Sequence, residues 1–311
     1  MKLFDLHCDT IERMEELGED MLTDKTQLSL KYLPQMEKWC QTFAIFIPDS
    51  KRGADAVSYY EQVLAYFHKM LQKHADIVEM ANTADDIRRI TGSKKCAALL
   101  SVEGGAVLDG KLENIEKLKK DGVKMMTLTW NGANELASGS VNPEMGFTSF
   151  GREAVREMER QNIIVDVSHL NDAGFRDVIS MAHGPVIASH SNCRALCAVP
   201  RNLTDDQLRA IRDTGGIVGL NVHHAFVHED PAQQTAQMLA RHAVHMAEVM
   251  GVEHVACGFD FCEFFGPGND GAQGLEDCSG TGNLFFWLEK LGMSAREREM
   301  IARENFLRVL Q

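Results

Sequence analysis

No run of about eighteen or more apolar residues occurs in this 311-residue chain, so no helix is predicted to cross a membrane. The N-terminal Met1-Lys2-Leu3-Phe4-Asp5 has no long apolar stretch before its first acid, which argues against a cleaved signal peptide and for a cytoplasmic protein. A concentrated basic patch is also missing. With 32 Lys and Arg against 45 Asp and Glu, the net charge is −13, and neither nucleic acid nor an anionic membrane is expected as a partner. The densest basic run, Lys117-Leu118-Lys119-Lys120, reads as a solvated helix face. None of the eight cysteines (8, 40, 96, 193, 197, 257, 262, 278) forms a CxxC pair, and several lie in apolar runs, as buried thiols do in a reducing compartment. Cys193 and Cys197 could share a helical turn but lack the second pair that a zinc site needs. There is no internal repeat, low-complexity tract or linker, so residues 1–311 read as a single domain.

What is present is an alternation. Apolar, β-rich runs at residues 3–9, 42–47, 96–103, 125–130, 163–169, 185–190, 216–222 and 254–261 read as eight strands. Helical spacing falls between them, most clearly at residues 56–74, 149–161, 172–181, 204–214 and 233–250, and a closing amphipathic helix is expected at 294–310. Strands alternating with helices imply a parallel sheet, and eight such units close most naturally into an α/β fold of the (β/α)8 barrel type. A doubly wound open sheet is the competing arrangement. The glycine-rich connections 132–147 and 263–282 both leave strand C-termini, where a barrel builds its active site.

The residues suited to metal binding fall at that same end. His7 and Asp9 stand two apart at the end of the first run, Glu103 ends the third, His169 the fifth, His190 the sixth and Asp260 the eighth. Imidazole nitrogen and carboxylate oxygen are ordinary zinc ligands, and more of them converge here than one closed tetrahedron accepts. Glu103 could therefore bridge two divalent ions, with His7 and Asp9 on one and His169 and His190 on the other. Two ions sharing a water would activate it for hydrolysis, and Asp260 is placed to move the proton. Asp166 is expected to serve structure through a hydrogen bond or salt bridge. His68, His74, His183, His242 and His245 read as surface, packing or loop residues, and His254 opens a strand at the barrel's opposite end.

The ordered set of His-x-Asp, Val-Glu-Gly-Gly, Asp-Val-Ser-His, Ser-His-Ser-Asn, Arg-Asn-Leu-Thr-Asp-Asp and Gly-x-Asp-Phe resembles the renal (membrane) dipeptidase family of zinc peptidases, from residue 4 to about residue 308. The resemblance implies a homodimeric dipeptidase with two zinc ions, Glu103 bridging them, Asp260 as acid and base, and Arg201 gripping the substrate carboxylate. Tolerance of a D-residue in the dipeptide also follows only from the resemblance. One departure concerns the histidine that polarises the scissile carbonyl in eukaryotic relatives, because Trp130 stands in its place. Asn131 or Asn134 is the expected substitute. His223 and His224, where relatives carry aromatic residues, are expected either to line the substrate side-chain pocket or merely to cap a strand. Two rival readings remain at this point: an amidohydrolase acting on an N-acyl amino acid, lactone or other ester, and a catalytically silent relative that binds peptide or metal.

Overall fold

The computed structural model describes residues 1–262 and 271–310, so the first part of the predicted 263–282 connection lies outside the described residues. Among the described residues, nine parallel strands form one sheet: β1 (Lys2–Asp5), β2 (Lys38–Phe46), β3 (Val78–Met80), β4 (Cys96–Glu103), β5 (Val123–Thr127), β6 (Ile164–Asp166), β7 (Val186–Ile187), β8 (Val218–Leu220) and β9 (Val255–Cys257). Their order is β7-β6-β5-β4-β2-β1-β9-β8, with β3 beside β4 and off that path. A parallel bridge between Ala188 and Val218 joins the two ends, so eight strands close into a (β/α)8 barrel. The ninth was not foreseen. β3 pairs with the first half of β4, from Cys96 to Ala98, and β5 takes the same edge from Leu100 to Glu103. At three residues, β3 is too short to show a period.

Two apolar clusters account for the pattern of the strands. The larger holds Leu3, Trp39, Phe43, Leu100, Val102, Met126 and Val165 together with the helix faces. The smaller gathers Phe4, Leu6, Cys40, Ala97, Leu99, Ile187, Ile217 and Ala256, closed by Phe306 and Leu307 of the C-terminal helical segment. That segment runs as Ala295–Glu299, a π-helical Met300–Glu304 and Asn305–Val309. Asn305 anchors it by donating to the carbonyls of Val252 and Val255, both at 2.7 Å, at the N-terminal end of the barrel. Alternation along β4 puts Glu103 on the same face as Ala97 and Leu99, at the opposite end.

Most observed strands are shorter than the apolar runs, because side chains replace the backbone ladder at their C-terminal ends. Asp166 Oδ1 accepts from the backbone N–H of Ser168 at 3.0 Å and of Ser189 at 2.9 Å. Asn221 Oδ1 takes the N–H of His223 at 2.7 Å. Helix boundaries match the sequence more closely, since polar caps set them: Thr148, Asn171 and Thr204 cap helices Ser149–Arg160, Asp172–Met181 and Asp205–Asp213. The helix expected over 233–250 starts later, at Ala236, behind the Thr235 cap. His254, expected to open a strand, sits instead in a 3-10 turn and bonds the Gly216 carbonyl at 2.6 Å. All eight cysteines are buried.

His242 ties helix Ala236–Met250 to the loop that follows β7. Its Nδ1 accepts from the Cys193 N–H at 3.0 Å, so the ring proton lies on Nε2 and reaches the Val227 carbonyl at 2.8 Å. Burial pulls its pKa down from 6.5 to about 4. The unfolded chain therefore takes up this proton before the folded one does, and stability falls as pH drops from 6.5 towards 4. The loss amounts to about 3 kcal/mol at ~1.4 kcal/mol per pH unit. His242→Gln should flatten that acid limb in urea titrations at pH 7, 6, 5 and 4; an unchanged slope would refute the assignment.

Candidate active site

The site forms where β1, β4, β6, β7 and β9 end. Beyond β1 the chain stays extended, held by Leu6 N–H to the Cys257 carbonyl at 3.0 Å and Cys8 N–H to the Thr42 carbonyl at 3.1 Å. This brings His7 and Asp9 to one side, as their spacing predicts. His7 Nε2 lies 2.8 Å from Glu103 Oε2, 3.2 Å from Asp9 Oδ1 and 3.8 Å from Asp260 Oδ1. Glu103 also meets His169 Nε2 at 3.2 Å through Oε1 and His190 Nε2 at 3.8 Å through Oε2. The His7 and His190 rings stack with centroids 3.9 Å apart. All six predicted strand-end residues therefore converge.

Two of them carry backbone conformations that side chains seldom adopt. His169 has φ +70° and Asp260 φ +64°. Local bonds hold each in place. Asn131 Oδ1 meets His169 Nδ1 at 3.3 Å, Asn221 Nδ2 donates to Asp260 Oδ2 at 2.8 Å, and the Asp260 N–H reaches the His7 carbonyl at 3.1 Å.

The electrostatics are those of a cation site. Burial pushes the Glu103 carboxyl up to about 7, reinforced by Asp9 and opposed by His7 and Arg201. Burial raises Asp260 well above the usual carboxylate range, with Asp9 and Glu103 adding to it. Burial lowers His169 and His190 well below the usual imidazole value, and Arg201 and His7 push them further, so both keep a free lone pair. Burial opposes a proton on His7, yet Asp9 and Glu103 raise its pKa well above that value. That proton occupies the place of positive charge. Asp9 Oδ1, Glu103 Oε2 and His190 Nε2 are enclosed without a hydrogen-bond partner of adequate geometry. Among the described residues, two groups fall within reach of one ion, His7 with Glu103 and His190, and His7 with Asp9 and Asp260. The donor set, nitrogen and carboxylate oxygen only, suits a divalent ion such as zinc.

A pocket over these groups is lined by Asp9, Glu103, His169 and Asp260 and walled by Phe46, Trp130, Asn131, Arg201, His223, Phe226 and Cys262. Arg201 is partly buried, its guanidinium 5.2 Å from the Phe226 ring centre, and its Nη2 lies 3.5 Å from the His190 carbonyl. Trp130 meets Phe46 edge to face at 5.0 Å. Of the paired candidates, the structure brings Asn131 and His223 to the pocket but not Asn134 or His224. Asn134 bonds backbone instead, accepting from the N–H of Leu136 and Ala137 and donating to the Leu128 carbonyl. His224 turns to Gln234 at 2.9 Å. Sequence reading missed Phe46, which ends β2, Phe226, in the short helix His224–Val227, and Cys262, which follows β9. It also missed Asn221, whose one signal is a polar residue inside the apolar run 216–222.

Residues 1–311 match the family described as membrane dipeptidase, peptidase family M19. The chain belongs to this family. Dipeptidase tcpJ of Claviceps purpurea is 32% identical over 254 residues, covering 80% of this chain and 59% of that longer relative. A solved dipeptidase described as a metallo peptidase of family M19 superposes with a TM-score of 0.90 at 25% identity, covering 100% of this chain and 98% of that one. A metallo peptidase from Rhodobacter sphaeroides, solved with a phosphinate mimic of the dipeptide L-Ala-D-Ala, gives a TM-score of 0.91 at 24% identity over 100% and 98% of the two chains. Membership makes this protein a metal-dependent dipeptidase, a hydrolase of peptide bonds.

In the metal-free dipeptidase, the carboxylates around Glu103 repel one another in a poorly solvated place. Glu103→Gln removes one of those charges. It should raise the melting temperature of the chelated protein at pH 8 and abolish the further rise that added divalent metal gives the wild type. A variant that still gains stability from metal would exclude Glu103 as a ligand.

Proposed function

We propose that this dipeptidase cleaves free dipeptides, L-D dipeptides included, and that His7, Asp9, Glu103, His169 and His190 would hold the two zinc ions it uses. A single observation carries the substrate reading. Arg201 forms no ion pair among the described residues, its Nε is enclosed without a partner, and it shares a pocket with the buried acid and histidine cluster. A cation so placed calls for an anionic group on the substrate, and the planar guanidinium fork fits a terminal carboxylate. A dipeptide offers that carboxylate one residue from the scissile bond. The Rhodobacter sphaeroides relative holds a dipeptide mimic, in line with this reading.

Bound divalent ions would polarise the peptide carbonyl and lower the pKa of the attacking water. The chain's own groups do the rest. Arg201 fixes the carboxylate end and so sets which bond lies over the acid cluster. Asn221 occupies Asp260 Oδ2, which leaves Oδ1, on the His7 side, to take a proton from water and pass it to the leaving amine. Trp130 has an indole N–H but cannot become cationic, so Asn131, which lines the pocket, is the donor for the carbonyl oxygen. The ring pairs His223–Phe226 and Phe46–Trp130 bound the space for substrate side chains.

The reading extends to one barrel domain over residues 1–311, a homodimer and a cytoplasmic site of action. Its supports are the buried cysteines, spread along the chain with no CxxC pair, and the resemblance in sequence. No helix among the described residues is long and apolar enough to cross a membrane.

The test is hydrolysis of L-L and L-D dipeptides by chelated protein before and after zinc is restored, with an N-acetylated dipeptide and a lactone alongside. Zinc-dependent cleavage confined to free dipeptides is expected. Arg201→Met should raise KM about 10–100-fold, the value of one charge-assisted hydrogen bond. Asp260→Asn should lower kcat about 10²–10⁴-fold. An unchanged KM in Arg201→Met, or turnover of the lactone alone, would overturn the substrate assignment.

A further inference from the structure

One buried carboxylate close to the site touches neither the pocket nor a basic side chain. Asp166 accepts four bonds: two backbone N–H groups at Oδ1, and at Oδ2 the hydroxyls of Thr127, at 2.6 Å, and of Ser189. Ser189 Oγ in turn lies 2.7 Å from His190 Nδ1. A serine has one hydroxyl hydrogen, and a carboxylate can only accept. Were that hydrogen turned to His190, Ser189 and Asp166 would face each other lone pair to lone pair at close contact. The hydrogen therefore belongs to Asp166, and the Ser189 oxygen can only accept from the imidazole.

We infer that Asp166 and Ser189 are positioning residues that lock His190 in its Nδ1–H tautomer, so that its Nε2 lone pair is presented on the Glu103 side for metal. The inference rests on the metal reading proposed above and adds the device that orients this ligand. His169 is held differently, by the neutral amide of Asn131 at 3.3 Å, so the two histidines differ in what stands behind them. A carboxylate relayed through a hydroxyl makes the His190 imidazole the more basic ligand. Ser168 completes the frame: its Oγ accepts the His190 backbone N–H at 3.1 Å and lies 3.5 Å from Ser189 Oγ.

The experiment compares wild type with Ser189→Ala, Ser189→Thr and Thr127→Ala. Zinc affinity is measured by competition with a chromophoric chelator, and the His190 tautomer by nitrogen-15 NMR of histidine-labelled, metal-free protein. Ser189→Ala should weaken zinc binding about 10–100-fold, the usual cost of losing a partner behind a ligand. It should also lose the pure Nδ1–H signature, and Ser189→Thr, which keeps a hydroxyl, should restore both. Thr127→Ala strips Asp166 of its other hydroxyl but leaves the Ser189–His190 contact, so its zinc affinity should stay at the wild-type level. Wild-type affinity and tautomer in Ser189→Ala would overturn the inference, and so would an equal loss in Thr127→Ala, which would assign the effect to packing. A wild type that binds no zinc would defeat the metal reading instead, and the metal-free NMR spectrum would still decide the tautomer.

Discussion

The rest of the structure answers to one constraint: three carboxylates, Asp9, Glu103 and Asp260, and three imidazoles are packed within contact distance in the closing mouth of a barrel. Removing such charges from water costs several kcal/mol per ion unless opposite charge lies close by. Without a cation the cluster resolves this with protons, on His7 and on the acids whose pKa values rise. A divalent cation does the same work with fixed charge and no titration. Glu12 belongs to this field as well. It is buried beside Asp9 with one oxygen on the Phe46 N–H, and burial followed by the Asp9 charge raises its pKa well above the carboxylate range.

Holding such a cluster requires a rigid frame, and the barrel supplies it unequally. Glu103 ends β4, an eight-residue strand that pairs along both edges, with β2 on one side and with β3 and β5 on the other. It is the fixed point. The other residues lie beyond short strands, where the regular ladder gives way to single backbone bonds and isolated bridges such as Cys8–Phe261, and two of them hold left-handed backbones. Strain of that kind persists only where surrounding bonds over-determine it. Asn131 and Asn221 each bond one of the two strained side chains, and the loop bearing Asn131 is pinned by Asp49 accepting the Gly132 N–H at 2.7 Å.

This division explains what could be read from residues alone. His7, Asp9, Glu103, His169, His190 and Asp260 were legible because each closes an apolar run, and runs in a barrel end at one face. Strand lengths were not, because Asp166, Ser168 and Asn221 replace ladder bonds with side-chain bonds that leave no periodic trace. The neighbours His223 and His224 could not be separated either: one turns to the pocket and the other to Gln234, a choice made by the backbone after β8. Asn131 and Asn134 divide in the same way, since the turn that follows Trp130 occupies the second with its own N–H groups. Pocket walls such as Phe46 and Phe226 look like any buried aromatic until the barrel closes.

Two aspartates that never face the pocket show how the frame is stitched. Asp5 Oδ1 accepts the N–H of His7, two residues on, and that of Phe259, one residue before Asp260. Asp166 Oδ1 accepts the N–H of Ser168, also two residues on, and that of Ser189, one residue before His190. The clamp is the same in both places: one carboxylate oxygen joins its own strand end to the neighbouring one and so pairs two site residues, His7 with Asp260 and His169 with His190. An amide would serve less well at Asp5. Its Oδ2 accepts from Gln41 Nε2 at 3.0 Å, while Gln41 Oε1 is already taken by the Trp39 indole at 3.2 Å, so an N–H at that position would meet another N–H unless the whole chain of bonds reversed. The indole cannot reverse, because it only donates. Burial pushes Asp5 up to about 6. The clamp keeps a carboxyl there despite that cost, because the bonds that face it run in one direction.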